Sequence, residues 1–285
     1  MGKLTSFLKR MNFTESETDK AENKKSAFHY VPPESQRAQE LEGLKEIKLT
    51  AVDRRILTYH EPESIVAENF KILRSHILHP RTGLPSKFVM ITSAIPGEGK
   101  TFVAVNLAFS FARSVPTILV ESDLRNASLT EVIEGPFEKG LSEALLEDAS
   151  LEEIVYKTDF SNLYIIPAGM RLEEATDVFS SEKLVAFLDN LRQIFPKSFI
   201  IFDTSPVLLA SEPLYLSRLV DGVLMVVRYA FSERDVVEEA IEKLGRAKIL
   251  GLVFNGFNIS SLNLISSRFK YYRISAKYYR RNNKK

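Results

Sequence analysis

No cysteine occurs among these 285 residues. Disulfides and thiolate zinc sites are therefore excluded, and a reducing cytoplasm is the expected setting. No stretch approaches the roughly 20 continuous apolar residues that a spanning helix needs. The N-terminus also lacks a signal peptide's apolar run and small-residue cleavage site, so the chain is expected to stay inside and span nothing. With a net charge of only +1, the whole molecule exerts no long-range pull on nucleic acid or anionic lipid.

What is present is ordinary for a globular protein: 45 % hydrophobic and 26 % charged residues suffice for a core built by burial alone. The length suits one large domain with two flanking segments. Three stretches are expected: a flexible N-terminal segment over 1–50, a folded domain over 51–258, and a basic tail over 259–285. The first is rich in Ser, Thr, Glu, Lys and Asn and contains Pro32-Pro33, the composition of a tether. Leu4, Phe7, Leu8 and Met11 repeat at helical spacing beside Lys3, Lys9 and Arg10, which fits either a short amphipathic helix or a frayed start. Met1-Gly2 with Ser6 matches a myristoylation pattern, but nothing else in the chain supports one.

From about 87 the pattern becomes regular. Phe88–Ile91, Thr117–Val120, Leu163–Ile166, Phe199–Phe202, Val223–Val227 and Ile249–Phe254 read as buried strands without strict alternation. Thr101–Arg113, Ser181–Phe195 and Glu233–Arg246 between them have helical periodicity, so the repeating unit is βα. The expected fold is a doubly wound α/β domain with a mostly parallel sheet, whose ligands sit at the carboxyl ends of the strands.

At the end of the first of these strands stands Ala94-Ile95-Pro96-Gly97-Glu98-Gly99-Lys100-Thr101, leading directly into a helix. Gly97 and Gly99 let backbone N–H groups turn onto phosphates, and the helix adds its N-terminal partial charge. Lys100 would reach the β- and γ-phosphates of ATP and Thr101 would place a hydroxyl on Mg²⁺. The usual pattern opens with Gly, whereas position 94 is Ala, so the first turn must accept a Cβ. Phe199–Asp203 is an apolar strand ending in an acid, the form of a Walker B aspartate, although an acid after a strand also serves as a helix cap. Ile118–Arg125 is a second strand ending in acids. Ser205 has no histidine placed to activate it, and His76 with His79 has the spacing of a metal pair but no third ligand nearby.

These motifs resemble those of the bacterial tyrosine kinases of capsule and exopolysaccharide loci, relatives of the MinD and ParA ATPases. The likeness runs over about residues 52–285: Pro-Gly-Glu-Gly-Lys-Thr, an acidic motif at Glu121, Asp123 and Arg125, Asp203-Thr204, Pro167-Ala168-Gly169, Val220 to Arg228, and Gly251 to Asn255. It implies ATP and Mg²⁺ as cofactors, with Pro96, Gly97, Glu98, Gly99, Lys100, Thr101 and Asn255 at the nucleotide and Thr101, Asp123 and Asp203 at the metal. It further implies catalytic roles for Lys100, Glu121, Asp123, Arg125 and Asp203. Glu121 departs from the family's Asp by one methylene, and Ser205 stands where the family usually has Pro. The MinD and ParA branch usually carries a second lysine at the position of Ala94, which favours the kinase branch. Glu68, Lys71 and Arg74 match the family's ring-forming Glu-x-x-Arg-x-x-Arg, with Lys for the first Arg; Lys lacks the bidentate fork.

The C-terminus is basic: Arg268–Lys285 holds eight Lys and Arg and no acid. Tyr271, Tyr272, Tyr278 and Tyr279 lie in it among polar neighbours, where burial is not expected. The resemblance implies that neighbouring subunits phosphorylate them in trans. It also implies a membrane polysaccharide co-polymerase as activator, a homo-oligomeric ring, further tyrosine-phosphorylated proteins as substrates, and a place at the inner face of the membrane through that partner. No nucleic acid is expected. The alternatives are a non-kinase ATPase switch of the MinD type, and a nucleotide-binding scaffold in which Glu121 has ended phosphoryl transfer.

Overall fold

A computed structural model describes residues 43–80, 83 and 85–256. The amphipathic repeat near Met1 and the four-tyrosine tail lie outside the described residues.

The chain begins with β1 (Lys45–Ile47), β2 (Ala51–Val52), α1 (Leu57–His60) and α2 (Ile65–Leu78). Next come β3 (Phe88–Ser93), α3 (Lys100–Ala112), β4 (Thr117–Glu121), α4 (Leu129–Val132) and β5 (Ile133–Glu134). Two short helices, α5 (Leu141–Leu146) and α6 (Leu151–Ile154), lead to β6 (Tyr156–Thr158) and β7 (Leu163–Ile166). The remainder is α7 (Thr176–Phe179), α8 (Glu182–Ile194), β8 (Phe199–Asp203), α9 (Glu212–Leu219), β9 (Gly222–Arg228), α10 (Arg234–Leu244) and β10 (Ile249–Asn255).

Eight strands form one sheet in the order β1-β6-β7-β4-β8-β3-β9-β10, and every neighbouring pair is parallel except β6 with β7. Every residue of β3, β4 and β8 is buried, which is why their sequences run apolar without alternation. Helix α3 is buried at eleven of its thirteen positions, the signature of a helix enclosed on all sides. It packs on β3, β4 and β8 on one side and on α1 and α2 on the other. By contrast α8 buries one stripe, Leu184, Phe187, Leu188, Leu191 and Ile194, at helical spacing. The doubly wound architecture expected from the pattern is present, and all six expected strands appear.

The ordered fold reaches further back than the boundary expected at 50. Lys45–Ile47 pairs in parallel with Tyr156–Thr158, Leu44 and Leu49 are buried, and the Leu49 N–H donates to Asp159 Oδ1 at 3.2 Å. Three residues reading Lys-Glu-Ile carry too little apolar pattern to betray a strand. The two-stranded antiparallel ribbon β2–β5 was equally silent, for it has two residues per strand.

Sheet register sets up the site. In the β4–β8 ladder Glu121 lies across from Asp203, and in the β3–β8 ladder Ile91 lies across from Asp203. Three neighbouring strands thus deliver the glycine-rich loop and the acidic residues to one edge.

Candidate active site

The loop after β3 takes its shape from two glycines. Gly97 has φ 80° and Gly99 φ 89°, both left-handed, and Gly99 opens α3. A Cβ at Gly99 would meet Asn255 Nδ2 at 2.1 Å. Ala94 is fully buried, so its Cβ is accepted in the first turn, and its carbonyl takes the Leu208 N–H at 3.2 Å. Pro96 and Gly97 form the exposed crest.

Glu98 points away from that crest and is fully buried. Its Oε2 accepts the Ile95 N–H at 3.0 Å, while Oε1 accepts the Ser232 hydroxyl and the Arg228 N–H. From the same side Arg228 Nη1 donates to the Gly97 carbonyl at 3.1 Å and Asn255 Nδ2 to the Glu98 carbonyl at 2.9 Å. Glu98 and Asn255, expected at the nucleotide, are placed behind the loop, fastening it to the ends of β9 and β10.

On the open side Lys100 Nζ stands 3.4 Å from Asp123 Oδ2, and both side chains are largely buried. Asp123 Oδ1 also accepts the Asn126 N–H at 3.1 Å. Asp203 is buried, and its Oδ1 has no hydrogen-bond partner. Burial pushes its carboxyl up to about 7; Lys100 and the Thr101 hydroxyl pull it down, while Glu121 and Asp123 push it further up. Thr101 Oγ1 lies 2.8 Å from Ser128 Oγ. A cavity of about 310 Å³ beside the loop is lined by Gly97, Gly99, Lys100, Thr101, Phe102 and Ser128, among others.

Glu121 is placed differently. Its Oε1 accepts the N–H groups of Ser128 and Leu129, each at 2.6 Å, and its Oε2 accepts the Ala168 N–H at 3.1 Å. Burial raises its pKa against these three backbone donors. Arg125 is engaged by other residues: Nε donates to Glu212 Oε1 at 2.8 Å and Nη2 to Thr176 Oγ1 at 3.1 Å. It lines a second cavity of about 460 Å³ with Leu208, Leu209, Leu214 and Lys243.

The residues expected at a subunit interface lie on α2. Lys71 pairs with Glu68 at 3.2 Å on the helix surface, whereas Arg74 reaches inward to the Ser110 carbonyl on α3. Among the described residues no three His, Asp or Glu side chains converge as a metal cluster, and His76 with His79 gains no third ligand. A Mg²⁺ ion still fits the loop site. It binds proteins through one or two carboxylates and keeps waters and phosphate oxygens as its other ligands, and Asp203 Oδ1 is an unpartnered buried acceptor beside the Thr101 hydroxyl. Ser128 went unnoticed in the sequence; a Ser before a helical turn at Leu129 was its only signal.

Residues 86–243 match the family described as AAA domain. The tyrosine-protein kinase YwqD of Bacillus subtilis is 28 % identical over 233 residues, which cover 81 % of this chain and 96 % of YwqD. The tyrosine-protein kinase CpsD of Streptococcus pneumoniae is 32 % identical over 183 residues, covering 61 % of this chain and 78 % of CpsD. The crystal structure of the chimerical protein CapA2B2 superposes with a TM-score of 0.66 at 25 % identity, over 79 % of this chain and 99 % of that one. Matched by the AAA-domain model over residues 86–243 and by these kinases over most of its length or of theirs, the chain belongs to the AAA-domain family and, within it, to the bacterial tyrosine-protein kinases that its motifs resemble.

Proposed function

We propose that this protein transfers the γ-phosphate of ATP to tyrosines, including Tyr271, Tyr272, Tyr278 and Tyr279 of another copy of the same chain. The observation that carries the reading is the gathering of Lys100, Thr101, Asp123 and the unpartnered Asp203 Oδ1 around one glycine-rich loop. Its three segments are the domain, 51–258 in the sequence reading and begun by β1 in the fold, the segment before it and the tyrosine tail.

Phosphoryl transfer asks a protein chiefly for positioning and for charge to meet the developing negative charge. The loop amides and Lys100 hold the phosphates. Thr101 and Asp203 would hold Mg²⁺, which would supply positive charge against the negative charge of the phosphates. Asp123 is the carboxylate best placed to take the acceptor's proton, because Glu121 is engaged by backbone and Asp123 flanks Lys100. Arg125 acts from the rim, where its ion pair with Glu212 shapes the approach to the site.

The names of YwqD and CpsD support the kinase reading. The capsule and exopolysaccharide setting, a membrane-bound co-polymerase as activator, a ring built through Glu68, Lys71 and Arg74, and phosphorylation of further proteins follow from the same kinship. No helix among the described residues is long and apolar enough to cross a membrane, so attachment to one through that partner fits.

The test uses radiolabelled ATP. A tail-less wild-type chain mixed with full-length Lys100→Met should label the tail of the inactive copy. Release of free phosphate without labelled protein would instead favour an ATPase switch.

A further inference from the structure

Glu121 is the acid that stands where the family has its first Asp, yet its surroundings do not suit a proton acceptor. A carboxylate offers about four acceptor positions. Three are taken by N–H groups of Ser128, Leu129 and Ala168, and the side chain is fully buried. A base must come within about 2.6 to 3.2 Å of the hydroxyl it deprotonates. To do so, Glu121 would have to release two segments that it ties together: the start of α4 and the Pro167-Ala168-Gly169 turn after β7.

One of those segments carries a side chain into the phosphate site. Ser128, whose N–H is held by Glu121, places Oγ 2.8 Å from Thr101 Oγ1. The Thr101 backbone is fixed by α3, but a threonine in a helix divides between two χ1 rotamers. The Ser128 contact, together with the Asp203 carboxyl beside it, selects one of them.

We propose that Glu121 is a positioning residue: through Ser128 it holds the Thr101 hydroxyl in the orientation that would serve Mg²⁺. The extra methylene belongs to this task. Aspartate at 121 is shorter by about 1.5 Å, one C–C bond, and does not keep all three N–H groups paired. The proposal rests on the nucleotide reading given above.

The test uses the full chain carrying Ser128→Ala, Glu121→Gln or both. A glutamine has one acceptor oxygen, and that oxygen goes to the two donors of α4. Its NH₂ then faces the Ala168 N–H, so Ala168 is the first amide to exchange faster with solvent. Affinity for ADP is measured by calorimetry across Mg²⁺ concentrations and in EDTA. Ser128→Ala is expected to raise the Mg²⁺ concentration needed by about tenfold, the cost of losing a group behind a metal ligand. Affinity in EDTA should stay unchanged. Glu121→Gln should shift the same dependence by less, and the double variant should match Ser128→Ala, because both act through one contact.

Additive shifts overturn the proposal. So does a Glu121→Gln protein that loses phosphoryl transfer with its Mg²⁺ dependence and amide exchange unchanged, since that result belongs to a base. A wild-type chain that binds no ADP would sink the kinase reading itself, and with it the role of Thr101; normal wild-type binding with unshifted variants sinks only the positioning role.

Discussion

Lys100 Nζ stands 3.4 Å from Asp123 Oδ2, so the lysine that the proposed function assigns to the phosphates is paired with a carboxylate. Nucleotide phosphates must compete with Asp123 for that ammonium. Asp123→Asn should therefore bind ADP more tightly in EDTA, several-fold by calorimetry, because the lysine is released from a charged partner. The same variant should lose phosphoryl transfer by about a hundredfold or more, the usual contribution of a positioned base. Weaker ADP binding in EDTA would mean that Asp123 steadies Lys100 instead of competing for it.

The raised pKa of Asp203 predicts a pH dependence of stability and, under the proposed function, of nucleotide binding. Its folded carboxyl titrates at about 7, against an ordinary 3.8. Between those values the folded chain keeps a proton that the unfolded chain has lost. Stability therefore falls as pH rises through this window, by up to about 1.4 kcal/mol per pH unit at the steepest. Glu121, also raised by burial, acts with the same sign. Scanning calorimetry from about pH 5 to about pH 8 should show this decline, and Asp203→Asn should flatten it to the part left by Glu121. Binding of ADP with Mg²⁺ favours the ionised carboxylate, so it should release a proton near pH 7 and weaken below it.

The sheet was legible because its strands are buried on both faces. Phe88–Ile91 and Phe199–Phe202 read as strands from apolar content alone, and the loop and Asp203 were found at their ends. The short pieces β1, β2 and β5 were invisible, since two or three residues stabilised by pairing carry no period. Within the site, residue type told which groups gather but not which way they point. Glu98 and Glu121 are acids in the motifs read as nucleotide-binding; Glu121 is taken up by backbone N–H groups and Glu98 by backbone N–H groups and the Ser232 hydroxyl. That choice depends in part on donors brought close from distant segments, Ala168 for Glu121 and Arg228 with Ser232 for Glu98, which no local pattern records. Arg125 likewise turns to Glu212, 87 residues later in the chain.

Arg74 separates a role inside one subunit from a role between subunits. Its guanidinium donates to the Ser110 carbonyl, tying α2 to the helix that begins at the phosphate loop. Arg74→Ala removes a charge-assisted hydrogen bond worth about 1.5 to 3 kcal/mol. It should lower the melting temperature by several degrees at every protein concentration. Glu68 and Lys71 pair at the surface, where such a pair contributes about 0 to 1 kcal/mol. Glu68→Ala and Lys71→Ala should leave melting unchanged, and a ring would reveal itself as their effect on sedimentation at high concentration. An Arg74→Ala protein that melts like wild type would return this residue wholly to the subunit interface.

Gly99 and Asn255 show how the loop is held from behind. Gly99 sits at φ 89°, and a Cβ there would lie 2.1 Å from Asn255 Nδ2, the atom that donates to the Glu98 carbonyl. Gly99→Ala thus faces two separate penalties, a left-handed backbone worth about 1 to 3 kcal/mol and a steric clash. Asn255→Ala alone loses one hydrogen bond, about 1 kcal/mol. In the double variant the clash disappears while the backbone strain stays, so the combined loss should be smaller than the sum of the two single losses. Urea unfolding of the four proteins measures this directly. Losses that simply add would mean that the loop shifts to relieve the contact, and that Asn255 does not fix the loop where nucleotide would meet it.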